Sequence, residues 1–237
     1  MRVFLAGAMG AVGRRLVPLL LRNGHAVIGS TRSAERAREL AQAGVTPVIL
    51  DAFDAQAVRT AVVAVRPDAV IHQLTDLPRE FDPARIVASY AANARIRTEG
   101  TRNLLAAAEA AGARRLIVQS IAFAYRPGGE PHPEADPLNT EDPMRAVTVQ
   151  GAAQMEHLVL AAPLVATVLR YGLLYGPGTW FERPDHKPAL HVDAAAHAAL
   201  LALTRPPGIY NIAEEDGVVA IGRARSALGF DPGFRLA

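Results

Sequence analysis

Three glycines near the amino terminus have the spacing of a loop that binds a diphosphate. Gly7, Gly10 and Gly13 follow the apolar run 3–6 and open a segment with apolar residues on one helical face. In such a strand–turn–helix the glycines allow a tight turn, a close approach of backbone N–H groups to phosphate, and close packing of helix on strand. The positive end of the helix then faces the anion. We therefore expect this loop to bind the pyrophosphate of a dinucleotide through residues Gly7, Ala8, Met9, Gly10, Ala11, Val12 and Gly13.

The residues after the second predicted strand indicate which dinucleotide binds. A site for NAD usually has an acidic residue there, which accepts hydrogen bonds from the ribose, whereas a site for NADP offers an arginine. Here the strand is followed by Thr31, Arg32 and Ser33, with no acidic residue. Arg32 could pair with a 2′-phosphate and stack on adenine. The sequence favours NADP(H), with NAD(H) as the alternative.

The composition bounds the class of protein. The 237 residues carry a net charge of +2, include no cysteine, and are 5% aromatic and 50% hydrophobic. Without cysteine there is neither a disulfide nor a thiol nucleophile, and dispersed arginines with few aromatics do not indicate nucleic-acid binding. No apolar run reaches the ~20 residues of a membrane span, and no signal peptide precedes the first strand. We expect a cytoplasmic protein that acts on a small molecule, with no metal, membrane or nucleic-acid partner.

Strand-like and helix-like segments alternate, which predicts an α/β fold with a doubly wound parallel sheet, the Rossmann fold. The predicted strands are 3–6, 26–29, 45–50, 69–72, 115–119, 165–169 and 208–211. The predicted helices are 11–22, 34–43, 54–65, 83–111, 145–161 and 194–203. All of 1–237 is expected to form one domain with a reduced C-terminal substrate-binding portion. Its small substrate or lid elements are expected at about 122–146, 172–190 and 212–237.

The carboxyl edge of such a sheet is where ligands bind. Two irregular stretches, 126–143 and 172–188, follow the fifth and sixth strands and should lie there. Asp51, with Ala52, ends the third strand and could accept a hydrogen bond from adenine, or could serve as a helix cap or an ordinary loop carboxylate. His72 and Gln73 end the fourth strand and should pass beside the cofactor ribose, although a histidine there is also consistent with a structural hydrogen bond.

Several motifs together resemble the short-chain dehydrogenase/reductase superfamily on its extended epimerase/dehydratase side. They are the glycine turn, Asp51, and the segments 70–73, 100–105, 170–178, 191–193 and 210–213. The resemblance implies bound NAD(P) and a homodimer that pairs the helices near 83–111 and 145–161. It also implies that four further residues lie near the nicotinamide half of the cofactor, namely Gln119, Ser120, Tyr175 and Gly176.

The proton-handling residues of that superfamily are missing. Members usually carry Ser or Thr after the fifth strand and Tyr-x-x-x-Lys on the next helix. No Tyr-x-x-x-Lys occurs in the chain, and alignment on Glu156 places Thr148 at the Tyr position and Ala152 at the Lys position. A threonine hydroxyl is a far weaker acid than a phenol, whose pKa is about 10. The candidate catalytic residues are Ser120, Tyr125 and Thr148, and the other candidate proton donors are His132, Tyr171, Tyr175 and His186.

Two functions remain open from the sequence. The first is an atypical NADP(H)-dependent oxidoreductase or epimerase that acts on a small organic molecule. The second is a non-catalytic NADP(H)-binding redox sensor or scaffold, which the missing Tyr and Lys favour. A pocket enclosed by 126–143 and 172–188 would favour the enzyme, because a sensor does not need one. The short C-terminal portion argues against a bulky nucleotide-sugar substrate.

Overall fold

Parallel strands form the centre of the molecule. The computed structural model describes residues 1–78 and 80–236, so Arg79 and Ala237, which fall within the predicted domain and its 212–237 element, lie outside the described residues. The strands of the described residues are β1 (Arg2–Ala6), β2 (Ala26–Thr31), β3 (Thr46–Ile49), β4 (Ala69–His72), β5 (Arg115–Ile121), β6 (Val165–Tyr171), β7 (Leu173–Tyr175), β8 (Ala189–His191) and β9 (Gly208–Ile212). Seven of them form one sheet in the order β3-β2-β1-β4-β5-β6-β9, and β7 pairs with β8 separately.

Helices cover both faces of this sheet. They are α1 (Ala11–Arg22), α2 (Ala34–Gln42), α3 (Ala55–Val65), α4 (Pro83–Arg95), α5 (Thr101–Ala111), α6 (Ala146–Leu160) and α7 (Val192–Leu201). Apolar residues of α1, α2 and α7 form one core with one face of the sheet, and those of α3, α5 and α6 form a second core on the other face. The predicted doubly wound α/β fold is confirmed. None of the helices in residues 1–78 and 80–236 has the length and apolar character needed to cross a bilayer.

The strand order reverses between β1 and β4, where a crevice opens at the carboxyl ends of the strands. Ala6, the last residue of β1, is level with Ser30 of β2 and His72 of β4. The glycine turn after β1 therefore enters the crevice between the ends of its two neighbouring strands. This arrangement brings the predicted cofactor residues to one edge of the sheet.

Three strands extend two residues beyond their predicted carboxyl ends. β2 was expected to end at residue 29, yet it continues to Thr31, which is level with Ile49 of β3. β5 and β6 each continue two residues beyond the predicted ends, so that Ser120 is level with Arg170. Ser120 and Arg170 are polar, and the sequence therefore predicts a loop at these positions. In the structure both are buried, and both form hydrogen bonds with the buried Glu156.

The predicted helix 83–111 is helical throughout but is not one α-helix. A π-helical turn, Ile96–Gly100, joins α4 to α5. Such a turn is wider than an α turn and is often found at functional sites. It changes which side chains of this segment lie on the face toward β5 and α6.

Candidate functional site

The turn after β1 has the backbone geometry of a phosphate-binding loop. Gly7 has φ +90°, and a Cβ there would lie 2.8 Å from the backbone of Gln73. A Cβ on Gly13 would lie 2.2 Å from the Gly7 carbonyl oxygen, so only glycine allows this approach of helix to strand. Gly10 caps α1 without a side-chain hydrogen bond, and no acidic residue occupies the first turn. The N–H groups at the start of α1 thus suit an anion, and the loop fits a dinucleotide pyrophosphate.

The residues expected at the adenosine end lie together at the ends of β2 and β3. Arg32 is exposed, and its guanidinium lies 3.7 Å from a carboxylate oxygen of Asp76. Thr31 Oγ1 accepts a hydrogen bond from Ser33 N at 3.2 Å, and Ser33 Oγ caps α2. Asp51 accepts from the backbone N–H of Phe53 at 3.0 Å, which leaves its second carboxylate oxygen available. Arg32 therefore presents an exposed cation just beyond the end of β2.

Asn103 stabilises the loop that follows β3, next to the predicted adenosine end of the site. Its side-chain amide donates to the carbonyl oxygen of Ala52 at 2.9 Å. This bond ties α5 to the loop after β3, within the segment 100–105 that resembles the family motif. Ala52 itself is buried, so its part in a cofactor site is limited to its backbone.

His72 and Gln73 are buried at the end of β4. His72 Nδ1 accepts from Leu74 N at 3.1 Å, and burial, with the nearby Arg97 cation, lowers the pKa of His72 to about 4. The imidazole is therefore neutral near pH 7. Gln73 Nε2 donates to the Tyr171 hydroxyl at 3.2 Å, while its Oε1 has no partner in the described part of the chain. That oxygen is an acceptor available to a ligand such as the nicotinamide half.

Ser120 belongs to a buried polar network. Its hydroxyl donates to Glu156 Oε1 at 2.5 Å, and Arg170 binds both oxygens of Glu156 at 3.0 and 2.7 Å. Arg170 also donates to the Tyr125 hydroxyl at 2.9 Å, and that hydroxyl donates to Asn211 Oδ1 at 2.6 Å. Burial raises the pKa of Tyr125. Neither hydroxyl can give a proton to a ligand without leaving this network, whose Arg170–Glu156 pair the sequence analysis missed.

Arg97 lies where the sequence analysis placed no functional group. It projects from the π-helical turn, is 5% exposed, and donates from Nη1 to the hydroxyl of Thr148 at 2.9 Å and to its carbonyl oxygen at 3.0 Å. Burial lowers the pKa of Arg97 to about 10, although Glu156 opposes the shift, so the group is a cation at neutral pH. The helix that carries it is rich in arginine, and no local pattern distinguishes the buried one.

A cavity of about 660 Å³ opens beside Arg97 and Thr148. Both irregular stretches contribute to its wall, as does α4, and Tyr125 and Thr148 line it whereas Ser120 does not. The main lining residues are Phe81, Tyr90, Asn93, Arg97, Phe123, Tyr125, His132, Asp142, Arg145, Thr148, Trp180, Phe181 and His186. The pocket that would favour an enzyme over a sensor is thus present in the protein.

Aromatic side chains close one side of this cavity. Trp180 donates from its indole N–H to the carbonyl oxygen of Pro78 at 2.9 Å. Phe81 packs edge-on against Trp180 and tilted against Phe181, with ring centroids 5.9 and 5.3 Å apart. His186 packs on Phe181. A flat, apolar substrate part would suit this wall.

The remaining candidate residues lie outside the cavity or are engaged. Tyr175 donates to Glu214 and accepts from Arg235 at 2.9 Å, and burial raises its pKa to about 12. Tyr171 is fully buried and donates to the Ala195 carbonyl oxygen at 3.1 Å. Gly176 adopts φ +100° next to His191.

The two further candidates are His132, at the cavity wall, and Gln119, on β5. His132 stacks on Tyr125 and bonds through Nδ1 to Asp136 at 2.8 Å, at the cavity wall. Gln119 is half-buried on β5. Within the part of the chain that the structure describes, neither side chain forms a hydrogen bond with the glycine turn.

Comparison with known proteins places this geometry in a family. A family model described as NAD(P)H-binding matches residues 7–187. The chain is 48% identical over 196 residues to a 3-diazoavenalumate denitrifying reductase of a Streptomyces species, a match that covers 81% of this chain and 62% of the relative. The chain thus spans less than two thirds of that relative. It is also 30% identical over 263 residues to a dTDP-4-dehydrorhamnose reductase of Streptomyces griseus, which covers 98% of this chain and 77% of the relative.

Solved structures share the fold. A UDP-glucose 4-epimerase of Thermotoga maritima, solved with UDP-glucose, aligns with a TM-score of 0.81 at 18% identity and covers 99% of this chain and 94% of its own. A UDP-glucose 4-epimerase of Thermus thermophilus, solved with NAD, aligns with a TM-score of 0.72 at 24% identity and covers 100% of this chain and 86% of its own.

Proposed function

The chain belongs to the NAD(P)H-binding family of short-chain dehydrogenase/reductase type, and from this premise we propose that it is an NADP(H)-dependent reductase of a small organic molecule that needs no protein proton donor. The observation that carries the proposal is that Thr148 and Ala152 stand where the superfamily usually has its Tyr and Lys, and that the hydroxyls of Tyr125 and Thr148 both hydrogen-bond within the protein. Tyr125 donates to Asn211, and Thr148 accepts from Arg97. His72, at the sheet edge, is neutral.

A reduction that requires no proton fits such a site. Hydride addition to a carbonyl leaves an alkoxide, and a general acid that protonates it accelerates the reaction by roughly 10²–10⁴-fold. Replacement of N₂ in an aryl diazonium ion is different, because the carbon gains hydride as the C–N bond breaks and N₂ leaves with the electron pair of that bond. The relative that is 48% identical is named a denitrifying reductase of a diazo compound. We therefore propose a diazo or diazonium substrate for this chain.

The residues predicted from the sequence take the following roles in this proposal. The loop 7–13 binds the pyrophosphate, Arg32 with Thr31 and Ser33 binds the 2′-phosphate, and Asp51 with Ala52 contacts adenine. His72, Gln73, Gln119, Ser120, Tyr175 and Gly176 flank the nicotinamide half. When bound, the cofactor supplies the hydride. Support for NADP(H) comes from the exposed Arg32 and the absence of an acidic residue at the end of β2.

Tyr125 and Thr148 keep a proposed role as substrate contacts, since both line the cavity. Ser120 is engaged with Glu156, so its proposed part is to hold the end of β5 in place beside the cofactor. Residues 1–237 are proposed to form one domain, with 122–146, 172–190 and 212–237 as its substrate-side elements. Cavity residues from each of these three segments support that division, namely Tyr125, Trp180 and Val218. The cytoplasmic location stays a prediction.

The test is a single-turnover assay with NADPH deuterated on its transferable position and an aryl diazonium salt that carries a carboxylate. We expect one N₂ released per NADPH consumed, with deuterium on the carbon that loses nitrogen. Deuterium from D₂O at that carbon, or binding of NADPH with no turnover above a protein-free control, would contradict the reductase. The second outcome would favour the non-catalytic sensor or scaffold. Epimerisation is less compatible with the site, because it needs proton transfer in both directions.

A homodimer is part of the same proposal. The helices α4 and α6 pack against each other. Val87 of α4 and Val147 of α6 are 61% and 50% exposed, and Met144, just before α6, is 82% exposed. Light scattering should give twice the mass of the chain, and Val87→Glu should lower it to one copy. A monomeric mass for the unchanged protein would refute this part of the proposal without touching the reductase.

A further inference from the structure

One wall of the cavity presents hydrogen-bond donors. Asn93 on α4 and Arg97 in the π-helical turn are four residues apart, are 2% and 5% exposed, and both line the cavity. The Asn93 Oδ1 atom accepts from the backbone N–H of Asp76 at 3.1 Å, so its amide N–H groups point away from that bond. Arg97 uses only Nη1, for the two bonds to Thr148. The wall therefore has donors but shows no matching acceptor.

The cation on this wall has no salt-bridge partner in the parts of the chain that the structure describes, and Glu156, which is paired with Arg170, acts on it only from beyond 4.0 Å. Within residues 1–78 and 80–236, no carboxylate lies within 4.0 Å of Arg97, and no acceptor receives Nε or Nη2. Arg97 Nε and Nη2 are not among the fully buried side-chain atoms that lack a partner in the described residues, so both nitrogens remain accessible from the cavity. Arg145, on the same cavity wall, is instead paired with Asp142 through Nε and Nη2. A buried cation without a partner is unfavourable, and a bound anion would remove that cost.

We infer that Arg97, together with Asn93, binds an anionic oxygen of the substrate, a carboxylate or an ionised phenol, beside Thr148. A guanidinium with a free edge binds such oxygens through short, charge-assisted hydrogen bonds. The aromatic wall of Phe81, Trp180 and Phe181 takes the flat ring of the same molecule. This assignment rests on the proposed function, for which it names the substrate class: an aromatic acid or phenol.

The experiment compares ligands that differ only in charge. Calorimetric titration of the NADPH-loaded protein would use trans-cinnamate against cinnamamide, and 4-nitrophenol, at a pH where it is ionised, against 4-nitroanisole. We expect the anionic member of at least one pair to bind about tenfold tighter or more. The pair that discriminates identifies carboxylate or phenolate as the source of the oxygen. Equal binding within both pairs would overturn the inference.

Variants assign the effect to Arg97. Arg97→Gln should bring the ratio of affinities within the discriminating pair close to one, while Arg145→Gln, the matched arginine of the same wall, should leave it unchanged. Arg97→Lys keeps the charge but not the planar fork, so it should retain the preference with weaker binding, and it serves where the glutamine variant does not fold. Retained discrimination in Arg97→Gln would overturn the inference.

A separate titration with NADPH distinguishes failure of the proposed function from failure of the proposed anion site at Arg97. If the unchanged protein fails to bind NADPH, the proposed function falls, while the ligand pairs, titrated without cofactor, still test the anion site. If Arg97→Gln weakens NADPH binding but keeps the preference for the anionic ligand, Arg97 serves the cofactor and the inference is overturned.

Discussion

Replacing Arg32 with alanine should weaken NADPH binding about tenfold and leave NADH binding unchanged. A hydrogen bond to a charged group contributes about 1.5–3 kcal/mol, which corresponds to roughly 10- to 150-fold in affinity. Arg32 is 64% exposed, so solvent screening places the effect at the lower end of that range. Only NADPH carries the 2′-phosphate, and the loss should therefore be specific to it.

Asp76 provides a second perturbation of the opposite sign. Its carboxylate lies 3.7 Å from Arg32 and competes with the phosphate for the guanidinium. Exposed ion pairs contribute about 0–1 kcal/mol, so Asp76→Asn should tighten NADPH binding by up to about fivefold. Arg38→Ala, at an exposed arginine of α2, the helix that follows Arg32, is the control and should change neither affinity.

The assay is titration of each variant with NADPH and with NADH, followed by nicotinamide fluorescence. The ratio of NADPH affinity to NADH affinity should fall in Arg32→Ala and rise in Asp76→Asn. If both cofactors weaken equally in Arg32→Ala, the arginine acts on the fold or on the shared part of the cofactor. An unchanged ratio in both variants would remove the assignment of NADP(H).

Three further predictions concern the loop, the network and the sheet edge. Gly13→Ala would place a Cβ 2.2 Å from the Gly7 carbonyl oxygen, so NADPH titration should show a loss of about tenfold or more. Gly222→Ala, where a Cβ meets open space, should show none, and equal affinities would contradict the loop assignment. Glu156→Gln leaves the Arg170 cation buried without its partner and should destabilise the fold by about 3–5 kcal/mol, a fall in Tm of roughly 6–20 °C by calorimetry; a fall like that of a surface variant would refute this. The pKa of His72 is lowered from 6.5 to about 4 by burial, so the unfolded chain takes up a proton first and stability is lost as pH falls from 6.5 towards about 4. Urea unfolding of His72→Gln should show a flatter acid limb, whereas parallel curves would contradict the assignment.

Local patterns were enough to predict the fold and the glycine turn that follows β1. The spacing of Gly7, Gly10 and Gly13 after an apolar run reports backbone constraints that act within a few residues. The alternation of strands and helices reports burial on two faces of one sheet. Both signals depend on neighbours in sequence, which is why they can be read from a single chain.

The chemistry of the cavity depends on contacts between distant segments. Glu156 and Arg170 each appeared in the family resemblance, but their pairing joins α6 to β6 and has no signature in either segment. Ser120 looked like an available hydroxyl, because sequence alone does not show that it faces Glu156 rather than the cavity. Arg97 is one arginine among several on its helical segment, and only packing against Thr148 shows that it is buried.

The π-helical turn at Ile96–Gly100 accommodates one extra residue between α4 and α5. Deletion of Thr98 would therefore convert the segment to a continuous α-helix, in which α4 and α5 keep their present faces. Asn93 and Asn103 would keep their hydrogen bonds to Asp76 and Ala52, while Arg97, within the turn, would lose its position beside Thr148. The extra residue of this turn thus lets a buried arginine reach α6 from a helical segment whose two halves are otherwise in phase.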